Sequence, residues 1–65
     1  MKVKITIDCD NAAFEEPNTT TEIAQVLREL ADNVESYDNP TMAGTVFIAR
    51  DSNGNKVGEM KVTGR

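Results

Sequence analysis

The chain predicts a small α+β domain of β-α-β-β order, one helix packed on a three-stranded sheet. Three observations carry that expectation: an alternating apolar segment at the start, an amphipathic stretch in the middle, and a hairpin signal between two apolar runs near the end. With 65 residues there is room for one domain, residues 1–65, and one small core.

In the first segment Val3, Ile5, Ile7 and Cys9 alternate with Lys2, Lys4, Thr6 and Asp8, so residues 2–8 read as a strand with one buried face. Cys9 falls in phase with that face and reads as a core thiol. The connector that follows, up to Asn18, is rich in Asp and Asn, residues that bond to nearby backbone. Phe14 within it is expected either to pack down as an anchor or to line a site.

The helix is the organising element. Ile23, Val26, Leu27, Leu30, Ala31 and Val34 recur at three- and four-residue spacing, while Glu22, Gln25, Arg28, Glu29, Asp32 and Glu35 point elsewhere. Residues 19–36 therefore form one amphipathic helix. Thr19 followed by Glu22 matches a capping box, with Asn18 as the competing cap. Pro40 closes any helical continuation, because a proline disfavours helical geometry in the residue before it.

Residues 43–50 read as the second strand, with Val46 and Ile48 on one face and Thr45, Phe47 and Ala49 on the other. Asn53-Gly54 accepts the positive φ of a tight hairpin turn, and Lys56–Thr63 returns as the third strand. Gly58 marks a bulge or a close contact. A crossover through the helix makes strands one and two parallel, with the hairpin adding strand three antiparallel, centrally or at an edge. Phe47 and Val57 are then expected on the uncovered sheet face. That face, and the absence of any staple in so short a chain, predict a homo-oligomer, a dimer as the first expectation.

Composition narrows the function classes. Eleven acids against seven bases give a net charge of −4 with no basic stripe, which argues against a nucleic-acid partner. With no His and a single Cys, neither a disulfide nor a soft-ligand zinc set can be assembled. No long apolar run suggests a signal peptide or membrane span, so no membrane partner and a cytoplasmic location are expected. Asp8, Asp10 and Asp51 are of the type that ligates a hard cation, but the hairpin lacks the acidic spacing and distal Glu of a calcium loop. No nucleophile has a base beside it, and neither enzyme activity, metal nor cofactor is expected.

A parallel βαβ unit gathers the end of strand one, the helix start and the end of strand two at one pole. That pole collects the candidate ligand-binding residues Asp8, Asp10, Asn11, Phe14, Thr19, Thr20, Arg50 and Asn53. Hydroxyls and free N–H groups at a helix start suit a phosphate, an Asn amide can bond an adenine edge, Phe14 can stack on a base, and Arg50, with Arg28 further off, supplies a cation. Each has a plainer reading as cap, turn residue, core anchor or solvated charge.

The segments Ile5-Thr6-Ile7-Asp8-Cys9-Asp10-Asn11-Ala12-Ala13-Phe14, Leu27-Arg28-Glu29-Leu30-Ala31-Asp32 and Asp51-Ser52-Asn53-Gly54-Asn55-Lys56-Val57-Gly58 resemble a group of very short phage and prophage proteins. The resemblance spans nearly the whole chain and brings no catalytic residue. It implies a counter-defence role in the cytoplasm of a bacterial host. In the first form the protein sequesters a nucleotide-derived immune signal, ADP-ribose-like or cyclic, without chemistry. In the second it is an acidic inhibitor or interaction module that binds a host protein through Phe47, Glu29 and Asp32.

Overall fold

The computed structural model describes residues 1–39 and 41–64. Strand β1 (Lys2–Ile7) leads through a short 3-10 turn (Ala12–Phe14) to helix α1 (Thr19–Glu35), then to β2 (Val46–Arg50) and β3 (Lys56–Thr63). The α+β class and element order are those expected. The sheet order is β1-β3-β2, and β3 runs antiparallel to both neighbours. Strands β1 and β2 therefore point the same way with β3 inserted between them.

Pairing fixes which side chains share a face. Val3, Ile5 and Ile7 stand opposite Val62, Met60 and Gly58, and Phe47 and Ala49 stand opposite Met60 and Gly58. These make the inner face, on which the helix lays Val26 and Leu30, both buried. The outer face carries Lys2, Lys4 and Thr6 from β1, Glu59, Lys61 and Thr63 from β3, and Val46 and Ile48 from β2.

This corrects the expectation for Phe47 and Val57. Phe47 lies on the covered face, where its ring meets Tyr37 edge to face at 5.3 Å and 77°, an arrangement that aromatic quadrupoles favour. Both faces of β2 carry apolar groups, so alternation alone could not choose between them. Val57 is buried because Ala49 pairs with Gly58 and Arg50 with Lys56, leaving Val57 as the unmatched residue of a bulge. Such an extra residue breaks the alternation and turns its side chain to the core side.

Gly58 serves the close approach as well as the bulge. A Cβ there would collide with the Thr6 carbonyl oxygen, so β1 and β3 come together at a spacing that excludes any side chain. Cys9 departs from expectation: β1 stops at Ile7, and the thiol beyond it is exposed.

The helix ends also differ. Asn18 precedes the helix without a side-chain cap bond. Glu22, half of the expected capping box, accepts the Ser52 N–H at 2.7 Å instead, and the Thr19 hydroxyl donates to the Phe14 carbonyl. At the other end Ser36 N–H reaches the Asp32 carbonyl at 3.0 Å and Tyr37 N–H that of Val34 at 3.1 Å, closing the last turn. The helix thus stops before Pro40, which lies outside the described residues.

Candidate functional site

The expected pole exists. Asp8 N–H donates to the Val57 carbonyl at 2.7 Å as β1 ends. At the same end of the sheet Arg50 pairs with Lys56, and the hairpin is tied to the first turn of the helix by the Ser52–Glu22 bond. The two loops and the helix start meet because β1 and β2 are parallel.

Within that pole the structure sorts the eight candidates. Asp8, Asp10 and Asn11 line an open depression of about 430 Å³ together with Lys56, Val57 and Gly58. The other five do not line it. Phe14 is 2% exposed and packs in the core beneath the helix, which removes it as a platform for a base and selects the anchor reading. Thr19 is held by its bond to Phe14, and Thr20 is exposed on the helix surface. Arg50 reaches the Gly54 carbonyl through Nη1 at 3.2 Å. Asn53 donates its N–H to Asp51 Oδ1 at 2.9 Å and acts as a turn residue.

Asp51 is the buried acid of the hairpin, and its carboxylate is fully engaged there. Oδ1 also accepts the Asn55 N–H at 2.9 Å, and Oδ2 lies 3.4 Å from Asn55 Nδ2. Those bonds organise the turn, where Gly54 takes φ +87°, a value that suits glycine. Asp51 is therefore unavailable to a cation shared with Asp8 and Asp10. Among the described residues no group of three or more His, Cys, Asp or Glu side chains is arranged to hold a metal ion.

The depression has a definite chemical character. Asp10 N–H donates to Asp8 Oδ1 at 3.1 Å, which fixes the Asp8 carboxylate while leaving Oδ2 outside that bond. Asn11 begins the 3-10 turn with its side chain free of any capping bond. Two carboxylates and one amide beside one ammonium can accept from hydroxyls and base N–H groups and meet one anionic group. Lys56 was missed from sequence. Its signal is the hairpin itself, because a central β3 starts next to the end of β1, but the sequence does not fix the strand order.

The second concave feature is apolar. A groove of about 460 Å³ runs between α1 and β1, lined by Ile5, Leu27, Leu30, Ala31, Val34 and Met60, with Glu35 the one charged side chain among them. Val3 is 53%, Ile5 45% and Leu27 41% exposed, so the inner face of β1 is left largely bare.

The fold and these two features define a small β-α-β-β domain with a polar depression at one pole and an open apolar groove along one edge. Compared with models of known protein families, with curated proteins and with solved structures, the chain matches none. Among the described residues no helix is long and apolar enough to cross a membrane.

Proposed function

We propose that the protein binds a small nucleotide-derived signal without transforming it, as a counter-defence protein of the phage group it resembles. The observation that supports this reading is the depression shared by Asp8, Asp10, Asn11 and Lys56. Carboxylates are the groups that grip ribose hydroxyls in nucleotide sites, and an Asn amide suits the edge of a purine. Lys56 is the cation for a phosphate, a role the sequence had suggested for Arg50. The binding set is accordingly Asp8, Asp10, Asn11 and Lys56, without Phe14.

The test is native mass spectrometry and calorimetry with ADP-ribose and cyclic dinucleotides. One nucleotide is expected per chain, with binding reduced at least tenfold by Asn11→Ala and by Lys56→Ala and unchanged by Thr20→Ala. Failure of every nucleotide to bind at millimolar concentration overturns the proposal.

A second reading is favoured by the outer sheet face. Val46 and Ile48 are 47% and 37% exposed there, opposite Lys61 and Glu59 of β3, which pair with each other at 3.2 Å, with Lys2 and Lys4 one strand further on. An exposed apolar pair on a face that carries three lysines and one acid, Glu59, suits docking on a host protein surface with acidic groups at its border. Phe47 is not part of that surface, because it lies half-buried on the opposite, helix-covered face. Val46→Glu would abolish such docking and leave nucleotide binding intact.

A further inference from the structure

We propose that the groove between α1 and β1 is closed by a second copy of this chain, whose β1 pairs antiparallel with β1 across a two-fold axis at Ile5. The proposal is independent of the nucleotide reading.

The first argument is the hydrogen-bonding of the edge. Asp8 N–H points at β3, where it meets the Val57 carbonyl. In an antiparallel ladder the groups alternate. Thr6, Lys4 and Lys2 therefore face β3, and the N–H and C=O groups of Val3, Ile5 and Ile7 point outward from the sheet. With Ile5 opposite Ile5 of the second copy, Val3 falls opposite Ile7 of that copy. Every one of those outward groups then finds a partner.

Charge selects the same register. On the outer face it sets Lys4 against Thr6 of the second copy. A shift that places the axis at Lys4 would set Lys4 against its own equivalent in a close, non-hydrogen-bonded pair, where like charges repel. It would also leave Ile7 beyond the paired segment.

The inner faces complete the case. Both copies bring Val3, Ile5 and Ile7 to the same side, so two grooves that are open in isolation adjoin and form one apolar layer, with Leu27 of each copy at its border. The opposite edge lacks these properties. Strand β2 has five residues, and its pairing ends in a bulge, a feature that blunts edge association, whereas β1 pairs over six residues without interruption.

Sedimentation of the wild-type chain tests the stoichiometry, and cysteine cross-linking in a Cys9→Ser background tests the register. Directly opposed residues that exchange both hydrogen bonds have Cα atoms about 5.5 Å apart, within the span of a disulfide. Ile5→Cys is expected to oxidise to a covalent dimer on its own. Val3→Cys is expected to stay free alone and to cross-link when mixed with Ile7→Cys. A wild-type mass that remains monomeric at millimolar concentration overturns the proposal. So does a dimer that leaves Ile5→Cys reduced, or one dissolved by Ile48→Lys on the outer face.

Discussion

The two long sides of the sheet are built from similar residues and end in opposite conditions. On the β2 side Ala49 is 1% and Val26 0% exposed, while on the β1 side Val3 and Ile5 are about half exposed with Leu27 beside them. Hydrophobicity does not explain the difference, because Val3 and Ile5 are as apolar as anything they face. The difference comes from where the helix is tied. Glu22 is bonded to the hairpin backbone, and at the far end the Tyr37 ring meets Phe47 while its hydroxyl lies 3.2 Å from that of Thr45. Both ties pull α1 toward β2, and a single helix cannot cover three strands. Polar tethers thus decide which part of an apolar face becomes core and which part is left for a partner.

The largest way to break this comparison is to separate the sides at their seam. Gly58→Ala puts a methyl group against the Thr6 carbonyl, a backbone atom that cannot swing aside. We expect a destabilisation of about 3 kcal/mol, the upper end of the ordinary range for a single substitution, read as loss of the cooperative thermal transition. A stable Gly58→Ala protein would show that β1 shifts freely relative to β3 and that the seam is not rigid.

A sharper comparison uses one helix and two leucines. Leu30→Ala removes a buried side chain and is expected to cost about 2–5 kcal/mol, measured by urea denaturation. Leu27, one turn earlier at the open rim of the groove whose floor includes Leu30, is 41% exposed, and Leu27→Ala is expected to cost about 0.5 kcal/mol or less in a dilute monomeric sample, as at ordinary surface positions. Raising the protein concentration should widen the Leu27→Ala deficit if a second copy covers the groove, because binding to the folded form adds stability by mass action. Equal costs at low concentration would mean that the groove is already closed over Leu27 in the single chain.

The contrast between sides was only partly legible in the sequence. Element order, the helix stripe and the Asn53-Gly54 turn could be read because each depends on local periodicity or on backbone chemistry at one or two residues. The parallel direction of β1 and β2 followed from the crossover, and with it the pole that holds Asp8, Asp10 and Asn11. What could not be read depended on partners distant in sequence. Phe47 faced inward because of Tyr37, and Val57 because a bulge reset the phase of β3. Phe14 was legible as an anchor but not as lost to the site, since burial is settled by the helix that lands on it. Cys9 followed the alternation of β1 on paper, yet the strand ends before reaching it. The capping box failed for a related reason: the pattern Thr19 to Glu22 is local, and the competing donor, Ser52, lies 30 positions away.

That competition gives the mildest prediction. Glu22 is 8% exposed and accepts the Ser52 N–H, and as an acid in the first turn of α1 it also faces the positive end of the helix. Glu22→Ala removes the acceptor and leaves a partly buried amide unsatisfied, for an expected loss of about 1–2 kcal/mol. Glu22→Gln keeps an acceptor oxygen at the same reach and should recover about half of that. If the bond is what holds the helix over β2, Glu22→Ala will also speed amide hydrogen exchange at Ser52 while leaving exchange in β1 unchanged. Uniform acceleration across all three strands would mean that the tether stabilises the whole domain and does not set the helix's lean.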